Sequence, residues 1–183
     1  LLDGRDVTRL GVHERARLGV SRTFQKLEPF NSLSARENVM VAAEMTSRRR
    51  RLTTDPRRTA DQILDRVGLG AVADITVATL PTGTARLVEL ARALARGPRL
   101  LLLDEVSSGL DERETAAVGD LLADLVTDRD LAVLLVEHDM SFVMRMCSHI
   151  HVLDFGEIIA EGTPEEVQRH ERVRHAYLGA EHR

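Results

Sequence analysis

Aromatic side chains are nearly missing from this chain: they make up 3% of its 183 residues, and there is no tryptophan. Stacking platforms for bases are therefore few, and a net charge of −4 supplies no basic field for a polyanion. No nucleic-acid partner is expected. One cysteine, Cys147, excludes an internal disulfide framework and fits a reducing compartment. No apolar run approaches the roughly 20 residues that a membrane-spanning helix needs. The chain opens Leu1-Leu2-Asp3-Gly4, with neither an initiating methionine nor a secretory leader pattern, and is expected to be a fragment or processed piece. Repeats and low-complexity linkers are also lacking. What is present, 43% hydrophobic and 30% charged residues, suffices for one sizeable core and a subdomain.

Residues 1–10 read as a strand, a glycine turn and a short return strand. A short helix closing at Gly19 follows, then a strand through "SRTFQ" and a loop to Pro29. Ser34 and Glu37 have capping-box spacing and open a helix to about Met45. Arg48 to Arg51 and Asp55-Pro56-Arg57-Arg58 read as solvated loop. Ala60, Ile63, Leu64 and Val67 recur at helical spacing before Gly68. Pro81 to Thr84 form a turn that opens a helix from Ala85 to Arg96. A helix over Glu112 to Leu125, another over Asp139 to Cys147, a hairpin joined at Phe155-Gly156, and a helix capped by Thr163 before Pro164 complete the pattern.

Two strands, Leu100 to Leu103 and Leu131 to Val136, are continuous apolar runs with a helix between them. That pattern predicts an α/β fold with a parallel sheet covered on both faces. Both runs end in polar groups: Asp104-Glu105 and Glu137-His138-Asp139. Ligands of such sheets bind beyond the carboxyl ends of the strands. Two adjacent acids at a strand tip suit hydrolysis of a nucleoside triphosphate. One carboxylate holds magnesium, the other orients or deprotonates the attacking water, and strand alternation sends the two to opposite sides. A histidine at the next strand tip can hydrogen-bond the γ-phosphate or that water. The competing reading is a solvated strand end for the acids and a structural role for His138. His151, His170, His175 and His182 have no metal-ligand spacing with Cys147 and read as surface residues. Met140, Met144 and Met146 read as packing.

In order and spacing, four segments together resemble the ATPase subunits of ABC transporters, over residues 1 to about 179. "RTFQ" resembles the Q-loop, "LPTGTARLVELARAL" occupies the place of the signature motif, "LLLLDEVSSGLD" is similar to the Walker B segment with its D-loop, and "LLVEHDM" is similar to the H-switch. The resemblance implies a P-loop NTPase (RecA-like) sheet core, incomplete at its N-terminus, formed by residues 1–26 and 97–183. Residues 27–96 would be a helical subdomain carrying the signature motif. It implies Gln25 and Asp104 at the metal, Glu105 polarising water, His138 sensing the γ-phosphate, and Thr82, Gly83, Thr84 and Asp111 at the nucleotide. ATP and Mg2+ are the implied ligands. The implied setting is a peripheral cytoplasmic subunit on the inner face of the membrane. It would pair with a second ATPase subunit as a homo- or heterodimer and drive transmembrane permease subunits. "GEIIAEGTPEEV" and "VRHAYLG" look most like the branch that imports branched-chain amino acids, with urea and amide importers close by.

Three departures matter. Residues 1–183 contain no Gly-x-x-x-x-Gly-Lys-Ser/Thr loop, the element whose N–H groups and lysine cradle the phosphates. On the order of 30 residues or more of core would lie upstream with it, leaving an apolar sheet edge or face exposed. The family's Leu-Ser-Gly-Gly-Gln is here Leu80-Pro81-Thr82-Gly83-Thr84. Gly83 retains close backbone approach, and a helix N-terminus still attracts anions. Val106 stands where proline usually follows Asp-Glu, an exchange expected to loosen that turn. A non-catalytic module that docks to a membrane partner is the second reading. An ABC ATPase of DNA repair or translation is a third, disfavoured by the absence of a coiled-coil insertion or second cassette.

Overall fold

A computed structural model describes residues 1–24, 28–50, 53–128 and 131–178. The chain divides into two compact units, residues 1–136 and 137–183. In the first, Leu2 and Arg5 exchange both backbone hydrogen bonds, at 2.8 and 2.9 Å, across Asp3 and Gly4. Both turn residues have positive φ, 49° and 75°, the signature of a two-residue type I′ turn. The expected return strand does not continue: the Asp6 carboxylate accepts from the Thr8 N–H at 2.8 Å, and this Asx turn bends the chain away.

Helix α1 (Val12–Arg17) leads into strand β1 (Val20–Arg22). Helix α2 (Ala35–Arg50) opens on the expected capping box, Ser34 N–H to Glu37 at 2.8 Å and Glu37 N–H to Ser34 at 3.2 Å. It runs past Met45 through Arg50, so most of the basic stretch read as loop is helix; Arg51 lies outside the described residues. Arginine is a good helix former, and Glu44 pairs with Arg48 one turn on at 2.7 Å. Likewise Asp55-Pro56 is a helix start rather than loop. The Asp55 carboxylate accepts from the Arg57 N–H at 2.9 Å, and Pro56 occupies the first position of α3 (Pro56–Arg66). Helix α4 (Thr82–Ala95) begins three residues before Ala85.

Helices α2, α3 and α4 pack on one another. Ala35, Val39 and Ala43 bury one stripe of α2, while Ala60 and Leu64 bury one of α3. Arg36 ties this layer together, bonding Asp61 at 2.6 Å and Asp74 as well. Asn38, fully buried in α2, accepts from the Phe30 N–H at 2.8 Å and donates to the Phe30, Leu33 and Ser34 carbonyls, which moors the preceding loop.

Strand β2 (Leu100–Asp104), helix α5 (Glu112–Asp128) and strand β3 (Ala132–Val136) complete the unit. The described strands of this sheet run parallel in the order β1-β2-β3, with Leu101 beside Ser21 and Val133. On one face Leu101 and Leu103 are buried. On the other, Leu100 and Leu102 are half-buried, and Leu134 and Val136 are 57% and 59% exposed. Full cover on both faces is therefore not what the structure has. An apolar run marks a strand that could be buried on both sides, but it does not supply the neighbour that covers it.

The second unit holds α6 (Met140–Met146), the hairpin of β4 (Ile150–Asp154) and β5 (Glu157–Gly162), then α7 (Pro164–Arg169) and α8 (Glu171–Val173), continued by a π-helical turn at Arg174–Leu178. Asp139 caps α6 by accepting from Ser141 and Phe142 at 2.9 and 3.1 Å. Thr163 and Glu166 form a capping box on α7. Val143, Ile150, Val152, Ile159, Val167 and Val173 form the core, with Met140, Met144 and Cys147 packed against it. Burial pushes the Cys147 thiol up, away from the reactive thiolate. His151 pairs with Glu161 at 3.2 Å, and no group of metal-ligating side chains occurs among the described residues.

Candidate functional site

The carboxyl ends of the three parallel strands are laced together. Thr23 N–H donates to the Leu102 carbonyl at 3.0 Å, and Asp104 N–H to the Thr23 hydroxyl at 3.3 Å. Glu105 N–H reaches the Val136 carbonyl at 2.9 Å. Asp104 is the last residue of β2, and its Oδ2 pairs with Arg22 Nη2 at 3.1 Å. Glu105 is not a strand residue. Its φ of 49° lies in the left-handed region, so strand alternation does not aim its side chain. A β-carbon makes that region costly, by about 1–2 kcal/mol per residue. Non-glycine residues held there concentrate at working sites, where the surroundings over-determine the backbone.

The turn after Glu105 is firm. Ser108 N–H donates to the Glu105 carbonyl at 3.2 Å, and Leu110 N–H to the Ser107 carbonyl at 3.1 Å. Val106, expected to loosen it, is buried, at 1% exposed. Asp111 caps α5: its carboxylate accepts from Glu114 N–H at 2.8 Å, while Glu114 accepts from Asp111 N–H at 2.9 Å.

The first turn of α4 rests on this same turn. A Cβ added to Gly83 would lie 2.6 Å from the Gly109 carbonyl oxygen and 3.1 Å from a Leu110 methyl. Gly83 is thus required by helix-to-turn packing, whatever else approaches it. Pro81 is the N-cap and makes no side-chain capping bond, so the N-cap side chain does not close the N–H groups of the helix's first turn. Gly83→Ala tests the contact. Alanine would gain up to about 1 kcal/mol in helix propensity, but a backbone clash of this kind costs about 1–3 kcal/mol. The expected outcome is a lower urea midpoint; a raised midpoint would show that the turn yields freely.

Of the residues expected to act together, Asp104 and Glu105 stand at the sheet rim, with Thr82, Gly83, Thr84 and Asp111 in the elements packed around the following turn. His138 belongs to the second unit, where its side chain is 70% exposed and its Nδ1 is 3.9 Å from Glu137 Oε2. Gln25 lies outside the described residues. Three participants escaped the sequence reading: Arg22, Arg86 and Glu89. Arg86 and Glu89 carried a signal, since with Arg92 they are the charges in and just before the mostly apolar run "LVELARALA".

Residues 1–108 match the family model described as ABC transporter. The chain belongs to the ABC transporter ATP-binding family. Residues 157–183 also match a model for branched-chain amino acid ATP-binding cassette transporters. The high-affinity branched-chain amino acid transport ATP-binding protein BraF of Pseudomonas aeruginosa is 37% identical, over 97% of this chain and 74% of that protein. The lipopolysaccharide export system ATP-binding protein LptB of Haemophilus influenzae is 34% identical, over 98% of this chain and 73% of that protein. Among solved structures, the dimeric bacterial ABC transporter cassette MJ0796 superposes with a TM-score of 0.75 at 25% identity, covering 85% of this chain and 68% of that one. The fold is thus that of an ABC ATPase cassette, as the parallel β1-β2-β3 order and the helical layer α2–α4 accord. No helix among the described residues is long and apolar enough to cross a membrane.

Proposed function

We propose that this chain is the ATP-hydrolysing part of an importer for branched-chain amino acids or related small polar solutes. It would work as a dimer of cassettes against transmembrane permease subunits at the cytoplasmic face of the membrane. The observation that carries the reading is the rim itself: a half-buried aspartate at a strand tip, followed by a glutamate held in a left-handed conformation. Family membership gives that rim its chemistry, and the match over residues 157–183 favours import over the export system named for LptB.

Residues of this chain divide the work as follows. Glu105 takes a proton from, or orients, the attacking water, and His138 donates to the γ-phosphate. Thr82, Gly83 and Thr84 present the open N-terminus of a 14-residue helix to the phosphates of nucleotide bound across the dimer, and Asp111 lies at the start of the adjoining helix. Asp104, with Gln25, would hold magnesium, which when bound neutralises charge on the β- and γ-phosphates. The carboxylate of Asp104 suits this role, because Oδ2 is taken by Arg22 while Oδ1 has no hydrogen-bond partner among the described residues. Residues 1–26 and 97–183 would form the ATPase core, and residues 27–96 the helical subdomain that faces the permease.

The test is hydrolysis by the full-length gene product assembled with the permease and solute-binding proteins encoded beside it. Leucine, isoleucine or valine delivered by the binding protein should raise the ATPase rate severalfold. A rate that responds to none of these, nor to urea or amides, would remove the importer assignment while leaving the family intact.

A further inference from the structure

We infer that Arg86 and Glu89, buried one turn apart in α4, are positioning residues that hold the Glu105 turn and the backbone at Phe24 and Glu28 in a fixed relation. The inference rests on the ATPase reading above.

Arg86 and Glu89 are 8% and 6% exposed, amid buried Leu87, Val88, Leu90 and Ala91. Arg86 Nη1 donates to the Glu105 carbonyl at 3.1 Å. With Glu105 N–H bonded to Val136, the peptide groups on both sides of the Glu105 Cα are pinned while its φ stays positive. At the other end, the Glu89 carboxyl takes backbone hydrogen bonds from Phe24 and Glu28. Arg92, one turn further along α4, donates to the Glu28 carbonyl at 2.8 Å and stacks 4.7 Å from the Phe30 ring centre. One rigid helix thus grips the turn after β2 and the chain after β1.

Packing alone does not account for these charges. Burial holds the Glu89 carboxyl above the usual carboxylate range despite attraction from Arg92 and Arg86. Arg86 Nε and Glu89 Oε2 are buried with no hydrogen-bond partner among the described residues. A well-packed apolar pair would serve a core at least as well. What the two side chains do satisfy is backbone of two loops, one of which carries Glu105. Positioning of this kind matters because a displacement of about 1 Å can cost a reaction about 100-fold.

The experiment uses the full-length gene product and compares Arg86→Met, Glu89→Leu and the double variant. The single variants each strand a buried charge and should melt earlier. The double variant removes both charges and should regain most of the wild-type melting temperature. Its kcat for Mg-ATP should nevertheless stay about 10- to 100-fold below wild type, with KM for ATP within about twofold. Arg86→Lys, which keeps a donor within reach of the Glu105 carbonyl, should recover part of the lost kcat. A double variant that hydrolyses ATP at the wild-type rate would reduce the pair to packing and overturn the inference, and so would a loss confined to KM. A wild-type protein without ATPase activity would overturn the functional reading as well, so the two failures are told apart by the wild-type control.

Discussion

Replacing Glu105 by glutamine in the full-length gene product is expected to lower ATP turnover by about 100- to 10,000-fold, the usual worth of a positioned general base, while nucleotide binding persists. The structure says why the change should be clean. Glutamine has the same length and shape. Three contacts that fix this residue run through its backbone: N–H to Val136, carbonyl to Arg86 and to Ser108 N–H. None of them requires a carboxylate. The left-handed φ of 49° and the burial of the following Val106 are likewise indifferent to the exchange. What disappears is the negative charge and the ability to take a proton. ATP that binds but does not turn over holds the cassettes together by mass action, so the variant should elute as a dimer in Mg-ATP under conditions where wild type returns to monomer. Full turnover in Glu105→Gln, with a folded protein, would move the role of base to another residue.

Much of this region can be read from residues alone because it obeys local rules. Continuous apolar runs mark β2 and β3, and their carboxyl ends carry the acids. Ser34 with Glu37, and Thr163 with Glu166, announce their helices through capping bonds that span three residues. Features that depend on distant partners are silent. Nothing in "DEV" signals that Glu105 is left-handed, because the bonds that enforce it come from Val136 and Arg86, 31 and 19 residues away in sequence. Arg86 and Glu89 stand out as charges among apolar neighbours, but what they grip is not legible, because those loops lie elsewhere in the chain. The exposed side of β3 is legible only in part: the absence of the phosphate loop and its adjoining core predicts an exposed apolar edge or face, but not that it is the side of Leu134 and Val136. The extent of α2 is obscured differently. Arg48 to Arg50 read as solvated loop because they are charged, although charge is compatible with the outer face of a helix and Glu44 pairs with Arg48 there.

Protein made of residues 1–183 alone is expected to show no ATP hydrolysis above background and to bind ATP more weakly than about 1 mM. A dissociation constant of that size needs about 4 kcal/mol. The groups proposed above to meet phosphate are the first turn of α4 and His138. A helix N-terminus contributes about 0.3–1 kcal/mol to an exposed anion, up to about 2 kcal/mol when partly buried. A single charged or neutral hydrogen bond adds about 0.5–3 kcal/mol, and the loss of translational freedom on binding consumes at least about 4 kcal/mol. The balance falls short without a loop whose successive N–H groups and lysine surround the phosphates. Asp104 and Glu105 cannot make up the deficit, since carboxylates repel a polyanion until a metal sits between them. Appending a segment with a Gly-x-x-x-x-Gly-Lys-Ser/Thr loop should restore both binding and turnover. Titration of nucleotide into the two proteins by calorimetry, alongside phosphate release, measures both. Mg-ATP hydrolysis by pure 1–183 protein, abolished by Glu105→Gln, would mean that these residues hold a sufficient phosphate site of their own, and the role given to the phosphate loop would have to be withdrawn.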